Sequence, residues 1–380
     1  MQRAHKIKLQ PNNRQTTYFV KAVGTARFTF NWALAEWQRQ YEAGEKPSAY
    51  GLKKQFNSLK KQEFPWITEV TKCAPEQAFN DLERAFKNFF RRVKLGKAPG
   101  YPKFKRKGQK DSFHISNQYF KLDGRRISIP KLGWVRMRES LRFSGKVQSA
   151  VVSKNAAGWF VSISVDIPDA PKSESQAQRA VGIDLGVKHL AVTSDGQYFE
   201  NPKTTIKYQK RLRRLNKSLA RKQKGSSNWN KTRQRLGKLH YRIASVRQDS
   251  SHKLTHFLAT NYTDVCLEDL NTSGMVRNRK LAKAISDASF SEIRRQLTYK
   301  CQNLHIISRW FPSTKLCPQC GQLNQMPLSR RVYGCECGHG PIDRDLHAAQ
   351  NIAIEGMRIS AAGFAVTACG EESAGSSTCA

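Results

Sequence analysis

Three acidic side chains in the second half of the chain stand where carboxylates can hold metal ions. Asp184 ends an apolar run in VGIDLG, and Glu268 follows a short apolar run in YTDVCLEDL. Both runs predict buried strands, and the carboxyl ends of such strands gather the ligands of α/β sheets. Asp345, in PIDRDLHAAQNIA, precedes apolar residues at helical spacing and therefore stands at a helix start. Oxygen ligands suit two Mg²⁺ ions about 4 Å apart, an arrangement that hydrolyses phosphodiesters.

The first of these motifs has other interpretations. An Asp before Gly186 can simply cap a tight turn. Actin-like ATPases share a GIDLG-type strand and turn, but they continue with hydroxyl residues for phosphate contact and carry a second glycine-rich loop. Here Val187, Lys188 and His189 follow, and the sequence shows no second loop. An apolar strand with one Asp is also how an RNase H-like sheet presents its first metal ligand.

The charged residues beside these acids leave some assignments open. Asp269 follows Glu268, and strand alternation directs it to the opposite face of the sheet. Asp343 is the second candidate for the place of Asp345. Arg344, which stands between those two acids, can bind phosphate or pair with a carboxylate.

Four of the nine cysteines form a cluster with metal-site spacing. Cys317 and Cys320 make a C-x₂-C pair, and Cys335 and Cys337 make a shorter C-x-C pair. Thiolates so spaced can bind one tetrahedral Zn²⁺, and four protein ligands leave no position for substrate, so the predicted zinc is structural. His339 is the alternative fourth ligand. The other cysteines are scattered and predicted to be reduced, which indicates a cytoplasmic compartment.

The charge of the chain points to a polyanionic partner. Its 380 residues include 66 Lys and Arg against 29 Asp and Glu, a formal net charge of +37. A chain so charged repels itself unless a polyanion neutralises it. No apolar run of about 18 residues is present to span a bilayer, and MQRAHKIKLQ lacks the apolar segment of a secretory signal. We therefore expect nucleic acid, and not a membrane, as the partner.

The densest basic segment lies between Lys207 and Arg247, with fifteen basic residues and no acidic one. Leucines at helical spacing on either side of the turn KGSSN predict an antiparallel helix pair. Solvated helices normally mix both signs of charge, so a purely cationic exterior favours a nucleic-acid groove. Arg211 and Arg214 are candidates for nucleic-acid contact.

The first half of the chain predicts helices followed by strands. A first strand precedes a long helix, a helix that starts after Ser48, and a helix over about residues 74–93 with a regular apolar stripe. Residues 112–168 carry two hairpin signals, Asp123-Gly124 and the turn KNAAGW. These signals predict a small β-barrel that includes the first strand.

The loop KLGKAPGYPKFKRKGQK, between the helices and the barrel, is densely basic. Basic groups hold phosphates, and the interleaved rings of Tyr101 and Phe104 can stack on bases, which suits single-stranded or A-form nucleic acid. Lys103, Lys105 and Arg106 are the candidate contacts. A disordered basic linker is the alternative interpretation.

Seven motifs, taken in order, resemble the TnpB family, the OrfB-type proteins of bacterial insertion sequences, which are similar to compact type V CRISPR effectors. The motifs are ARFTFNWALA, GYPKFKRK, PKLGWVRM, VGIDLGVKHLAV, VCLEDLN, FPSTKLCPQCG and CGHGPIDRDLHAAQNI. The resemblance implies that Asp184, Glu268 and Asp345 are the catalytic residues. It also implies an RNA guide and cleavage of double-stranded DNA beside a short target-adjacent motif.

The resemblance further implies a multidomain α+β protein. Residues 1–10 and 98–172 form a β-barrel wedge domain, into which a helical recognition lobe, residues 11–97, is inserted. Residues 179–310 and 342–358 form an RNase H-like (RuvC) α/β nuclease core, interrupted by a zinc-ribbon-like insertion at residues 311–341. Residues 359–380 are predicted as a flexible tail.

Three residues of the helical lobe, Tyr50, Lys54 and Lys72, are candidates for contacting the target-adjacent motif. Two positions depart from the family pattern. His347 stands two residues after the last catalytic Asp, where the family commonly has Asn, and the C-x-C pair is one residue shorter than usual. Neither departure removes a catalytic acid.

The leading hypothesis is an RNA-guided DNA endonuclease with two Mg²⁺ ions and one structural Zn²⁺. Its partners are a guide RNA and double- and single-stranded DNA, in the cytoplasm of a bacterium and on its nucleoid. One alternative is a transposase that joins DNA strands directly, since acidic-triad transposases share the RNase H-like core. Another is a non-catalytic nucleic-acid-binding regulator with an inactive site. The zinc insertion, the basic helix pair and the motif order favour the nuclease.

Overall fold

The computed structural model describes residues 2–168, 179–327 and 329–363. The chain divides into two compact units, residues 1–171 and 172–380. The predicted linker DAPKSESQAQR lies almost wholly outside the described residues, and so does most of the predicted tail. No helix among the described residues has the length and apolar character needed to cross a membrane.

The first unit combines helices with short strands. Its elements in chain order are β1 (Gln2–Lys8), α1 (Asn13–Glu42), α2 (Ala49–Leu59), α3 (Cys73–Lys94), β2 (Ser112–Ser116), β3 (Lys121–Asp123), β4 (Arg126–Ile129), β5 (Gly133–Arg136), β6 (Lys146–Asn155) and β7 (Gly158–Asp166), with 3-10 turns at Pro65–Glu69 and Asn117–Tyr119.

Local sequence explains where the helices of this unit begin. Asn12 and Gln15 form a capping box at the start of α1, and Ser48 caps α2 by accepting a hydrogen bond from the Gly51 amide. The three helices share an aromatic core in which the rings of Trp37 and Phe86 stack with centroids 4.2 Å apart. The helices predicted from apolar spacing are therefore confirmed.

The strands of the first unit form two sheets, in the orders β1-β7-β6-β2 and β3-β4-β5. A bridge between Leu9 and Met137 connects the end of β1 to the end of β5. Both sheets contribute to one apolar core that includes Ile7, Ile127 and Val161. The first strand thus pairs with the second predicted hairpin, as the sequence indicated, but no ladder joins β2 to β3 among the described residues.

The second unit is built on a mixed sheet. Its elements in chain order are β8 (Ala180–Asp184), β9 (His189–Thr193), β10 (Tyr198–Glu200), α4 (Thr204–Ala220), α5 (Ser227–Asn261), β11 (Asp264–Glu268), α6 (Thr272–Arg277), α7 (Ala282–Ala288), α8 (Phe290–Lys300), β12 (Asn303–Ile307), β13 (Val332–Tyr333), β14 (Ile342–Asp343) and α9 (Arg344–Ala361).

The main sheet has the order β10-β9-β8-β11-β12, with β8, β11 and β12 parallel and the other pairs antiparallel. The parallel strands are covered on both faces, which explains their nearly continuous apolar sequences. Ile183 and Leu267 pack in a core with residues of α5 and α8. Cys266 and Ile307 pack against Ile352 of α9.

Helix α9 approaches the sheet so closely that side chains are excluded at the contact. A Cβ atom added to Gly182 of β8 would lie 2.1 Å from the Ala349 carbonyl oxygen. A Cβ atom added to Gly356 of α9 would lie 2.3 Å from the Cys266 sulfur. This contact fixes the position of the helix start, and hence of Asp345, relative to the strands.

We expect Gly182→Ala to destabilise the protein, because the backbone of α9 must move to admit the methyl group. The cost of such overpacking is about 1–3 kcal/mol, and thermal unfolding measures it. Gly24→Ala is the control, since an added Cβ in α1 meets nothing within 4 Å. An unchanged melting temperature for Gly182→Ala would contradict the close packing of α9 on β8.

Two predicted features of this unit are refined by the structure. Helix α9 continues to Ala361, so the tail predicted from residue 359 begins at least three residues too early. Residues 364–380 lie outside the described residues. The predicted basic helix pair is present as α4 and α5, with Leu239 and Ile243 buried on the inner side of α5.

Candidate functional site

The first two predicted acids lie at the same edge of the sheet. Asp184 ends β8 and Glu268 ends β11, and these strands pair in parallel with Ile183 opposite Leu267. Because side chains alternate along a strand, both acids point to the face opposite the apolar core formed by Ile183 and Leu267. That is the face covered by α9, which carries the third acid.

Asp345 lies in the first turn of α9. Asp343 is the cap of this helix, and its carboxylate accepts hydrogen bonds from the amides of Asp345 (3.0 Å) and Leu346 (3.3 Å). The alternative ligand Asp343 is thus engaged by the backbone. Arg344 Nε lies 3.6 Å from Asp345 Oδ1, so the pairing of this arginine with a carboxylate, one of its two predicted roles, is present.

The charges of the other two acids act on Asp184. The pKa of Asp184 is raised to about 7, first by burial and then by the negative charges of Asp345 and Glu268, while the Arg344 guanidinium opposes the rise. Burial also raises the pKa of Glu268, with a further contribution from Asp269. Buried carboxylates of like charge favour a cation that offsets their repulsion.

These acids are spread more widely than the ligands of a single ion. Of the described His, Cys, Asp and Glu residues, only the cysteine cluster forms a group of three or more whose ligand atoms lie within 4.8 Å of one another. A pair of ions about 4 Å apart uses ligands distributed over a longer distance than one ion does. The donor set, made of oxygen atoms alone, fits hard divalent cations such as Mg²⁺.

Asp269 is separate from this group. Its carboxylate binds the guanidinium groups of Arg309 and Arg294, and these hydrogen bonds keep its pKa low. The predicted orientation of Asp269 away from Glu268 agrees with this pairing. The salt bridges connect the loop after β11 with α8 and with the end of β12.

Tyr198 lies near the candidate site, and no sequence pattern had indicated this residue. It lies on β10 with 44% of its surface exposed, and its pKa is raised by burial and then by the charges of Asp343 and Asp345. The residue stands in a short strand without a recognisable motif. Only the order of the strands brings it to the start of α9.

The four predicted cysteines converge. The sulfur atoms of Cys317 and Cys337 are 3.6 Å apart, as are those of Cys320 and Cys335, and all four lie within 4.8 Å of one another. A tetrahedron of thiolates about 2.3 Å from one Zn²⁺ has edges of about 3.8 Å. The cluster therefore has the dimensions of a four-cysteine metal site. His339 is not part of it.

The residue that departs from the family pattern, His347, faces this insertion. Its buried ring stacks on Tyr333 with centroids 3.5 Å apart, and His339 packs at its side. Burial lowers the pKa of His347 to about 4. One turn later, the Asn351 amide donates hydrogen bonds to the carbonyls of Ser313 and Leu316. Helix α9 is thereby fastened to the insertion.

The three residues of the helical lobe that are predicted to contact nucleic acid are all exposed, and one of them also contacts a ring of the protein. Tyr50 is 80% exposed and Lys54 is exposed on α2. Lys72 is exposed, with its ammonium 4.5 Å from the centre of the Tyr119 ring. These side chains can reach a partner without leaving a buried position.

The basic loop contains one predicted contact that is already engaged. Lys105 lies 4.1 Å from the centre of the Phe30 ring and 3.2 Å from an Asp81 carboxylate oxygen. Lys103 and Arg106 are exposed. Lys105 is exposed as well, so its contacts within the protein are compatible with the predicted nucleic-acid contact, which stays a prediction.

The cationic exterior of α4 and α5 is present as predicted. Thirteen of the fifteen basic residues are exposed, among them Arg211 and Arg214. Within the described residues, the carboxylate partner of this set is Asp287, which binds Arg247. Asp287 also accepts hydrogen bonds from the amide and hydroxyl of Thr205, so it fastens the start of α4 to α5.

The chain has a mixed α/β fold that is similar to the fold of Cas12f1. A cryo-EM structure of a Cas12f1–sgRNA–target DNA complex matches with a TM-score of 0.52 and 14% identity, over 89% of this chain and 83% of that chain. At such low identity the match establishes the fold alone.

Sequence relatives narrow the class to one family. The chain is 35% identical to "Putative RNA-guided DNA endonuclease InsQ" of Escherichia coli (strain K12), over 97% of this chain and 94% of that protein. It is 33% identical to "Putative RNA-guided DNA endonuclease" of Streptomyces pristinaespiralis, over 98% and 92%. The chain belongs to the TnpB family of insertion-sequence proteins, which confirms the resemblance seen in its motifs.

Family models match three segments of the chain. The model OrfB of IS605, described as "Probable transposase", matches residues 162–279. A "Helix-turn-helix domain" model of the same family matches residues 1–46, which here form β1 and the single helix α1. A "Cas12f1-like, TNB domain" model matches residues 290–352, the segment that contains the cysteine cluster.

Proposed function

We propose that this protein is an RNA-guided DNA endonuclease of an insertion sequence, which cuts double-stranded DNA next to a short target-adjacent motif. The observation that carries the proposal is the placement of Asp184 and Glu268 at the ends of neighbouring parallel strands, on the sheet face covered by the helix whose first turn holds Asp345. The relatives whose names contain this activity match over nearly the whole chain. A DNA-cutting protein of this kind acts in the bacterial cytoplasm and on the nucleoid.

The three carboxylates would hold two Mg²⁺ ions. When bound there, Mg²⁺ supplies an activated water and charge stabilisation for phosphodiester hydrolysis. Asp184 and Glu268 contribute oxygen atoms from the rigid ends of β8 and β11, and Asp345 contributes from the first turn of α9. Arg344, beside Asp345, is placed to neutralise an approaching phosphate.

The same proposal assigns roles to the parts of the chain. The sheet of the second unit is the RNase H-like (RuvC) core, and the insertion with the cysteine cluster holds one structural Zn²⁺. In the first unit, β1 and the described part of the segment 98–172 form the wedge barrel, and α1–α3 form the recognition lobe. The common core of the two small sheets supports the barrel assignment.

The cationic face of α4 and α5 is the proposed RNA- and DNA-binding surface of the second unit. Replacing both Arg211 and Arg214 by Gln removes two exposed charges that form no salt bridge with a carboxylate in the part of the chain that the structure describes. Each lost phosphate contact reduces the slope of log affinity against log salt by about 1. We therefore expect weaker RNA binding and a salt dependence that is shallower by up to about 2, measured by filter binding between about 50 and 200 mM salt.

The matched control for this prediction is Lys253→Gln. Lys253 is also an exposed residue of α5, but it pairs with Asp249 at 2.8 Å and lies outside the basic segment. Its replacement should leave the salt dependence unchanged. If the double variant and this control bind RNA equally well at every salt concentration, the cationic face is not the binding surface.

Copurification tests the guided mechanism directly. The protein is expressed from its insertion sequence, purified, and the bound RNA is sequenced. We expect one discrete RNA species, and DNA containing the complement of its variable segment should be cut in Mg²⁺ and left intact in EDTA. Purified protein without a defined RNA, or cleavage that ignores the RNA sequence, would overturn the proposal.

A direct transposase is the second candidate, because the family model that matches residues 162–279 carries that description. The two functions differ in their products. A strand-transfer reaction joins an element end to new DNA, whereas the proposed nuclease leaves two free ends. Gel analysis of the products formed with an element end present decides between them, and unchanged DNA with retained binding would favour a non-catalytic regulator.

A further inference from the structure

A pocket of about 370 Å³ is lined in part by Glu268 and extends from the three-carboxylate site towards α8. Its floor is apolar and consists of Leu185, Leu267, Leu270 and Phe290. Two of these leucines directly follow or precede a predicted metal ligand in the sequence. Glu268 itself is among the residues that line the pocket, so an occupant would be held next to this carboxylate.

The rim of the pocket is polar and fixed by hydrogen bonds. The hydroxyls of Thr272, at the start of α6, and Ser291, in the first turn of α8, are 2.7 Å apart. Arg294 of α8 also lines the pocket, and Asp269 holds its guanidinium in place. The arginine side chain is still 43% exposed. The Arg294 guanidinium is thus held in a fixed position beside the pocket before any ligand binds.

This combination matches one class of ligand. An apolar floor with a few fixed polar groups is typical of small-ligand sites, and each nucleobase offers two apolar faces with hydrogen-bonding edges. A nearby guanidinium favours the phosphate that a base carries with it. An apolar peptide side chain would fill the floor but would offer no negative charge to the exposed part of the Arg294 guanidinium.

We infer that this pocket receives one nucleobase of the DNA strand that is cut, from a nucleotide adjacent to the cleaved bond. The inference rests on the proposed nuclease function. Glu268 belongs both to the pocket wall and to the carboxylate site, so a base seated in the pocket brings its own backbone phosphate to the carboxylates. The pocket then contributes to the positioning of the strand, and it acts on every sequence because all bases have apolar faces.

The test combines protein variants in which a side chain occupies the pocket with DNA substrates that lack the base expected to bind there. Ser291→Phe places a ring in the pocket, and Thr298→Phe does so from another lining position in case the first variant folds poorly. Ser286→Phe is the control, since Ser286 is exposed on α7 and is not among the residues lining the pocket. The substrates are DNA strands complementary to the copurified RNA, each with a single abasic nucleotide at one position.

We expect Ser291→Phe to raise KM on the intact strand by roughly tenfold, as for the loss of one stacked base, with melting temperature and zinc content unchanged. Removing the base at one position near the cut should raise the wild-type KM by a similar factor. At that position alone, wild type and variant should become equal, because both lack the same contact. The control should match wild type on every strand.

Two results would overturn the inference. One is that Ser291→Phe and Thr298→Phe both have the same KM as wild type on the intact strand. The other is a loss that persists equally at every abasic position, which would show that the added ring does not compete with a base. If the wild-type protein cuts none of the strands, the proposed nuclease function itself is contradicted. This result differs from failure of the pocket inference, in which the wild-type protein still cuts DNA.

Discussion

Asp184→Asn, Glu268→Gln and Asp345→Asn should each abolish Mg²⁺-dependent DNA cleavage while RNA binding stays nearly unchanged. Each replacement removes one negative ligand but keeps the shape of the side chain. Loss of several kcal/mol of transition-state stabilisation corresponds to at least about three orders of magnitude in rate. Single-turnover cleavage of a DNA target complementary to the bound RNA measures the effect.

The control for these variants is Asp249→Asn. Asp249 is an exposed acid of α5 whose contact is an ion pair with Lys253, and its loss should not change cleavage. Normal cleavage by Glu268→Gln would show that the second ligand is misassigned. Normal cleavage by Asp345→Asn would return attention to Asp343, which the structure assigns to the helix cap.

The same replacement at Asp184 should stabilise the metal-free protein. The pKa of Asp184 is raised from 3.8 to about 7, so the folded state binds more protons than the unfolded state between these values. Stability therefore falls as the pH rises from about 4 to about 7. This difference in pKa corresponds to at most about 4 kcal/mol of stability, and Asn carries no charge to bury.

Thermal unfolding in EDTA tests this relation. Asp184→Asn should melt above wild type at pH 8, and the difference should shrink as the pH is lowered toward 5. Added Mg²⁺ should stabilise wild type more than the variant, because only wild type has the full set of anionic ligands. A variant that melts below wild type at pH 8 in EDTA would contradict the buried, repulsive environment of Asp184.

Local pattern was enough to predict where most residues of the candidate site lie in the fold. Apolar runs ending in an acid placed Asp184 and Glu268 at strand ends, and the alternation of a strand separated Glu268 from Asp269. The capping chemistry that distinguishes Asp343 from Asp345 could not be obtained this way. Both acids stand at a helix start, and only coordinates show which one accepts the amide hydrogen bonds.

Other features depend on contacts between distant parts of the chain. Tyr198 reaches the start of α9 only because β10, β9 and β8 are neighbours in the sheet. The choice of Cys337 over His339 depends on a tight turn in which the Cys335 amide donates to the His339 carbonyl. Lys105 looked free in a basic loop, but its ring contact involves Phe30, seventy-five residues earlier. Sequence spacing carries no information about such pairings.

Replacing Cys317 and Cys320 together by Ser should release the proposed zinc ion and unfold the insertion. Thiolate coordination of zinc contributes roughly 10–16 kcal/mol in small zinc-binding folds, and the small apolar core of the insertion, centred on Tyr333 and Met326, is too limited to replace it. We expect about one zinc per chain in wild type and none in the variant, measured by atomic absorption, with a lower melting temperature.

The loss should extend to DNA cleavage, because the insertion and the carboxylates share α9. Asn351 lies on α9 and donates hydrogen bonds to the carbonyls of Ser313 and Leu316 in the insertion. If the insertion unfolds, these hydrogen bonds are lost, and the part of α9 that follows Asp345 is no longer held in place. Cys301→Ser, a free cysteine outside the cluster, should keep both zinc and activity. Full zinc retention in the double variant would refute the metal site. Zinc loss with unchanged cleavage would instead show that the sheet alone, through the close contact at Gly182, holds Asp345 in place.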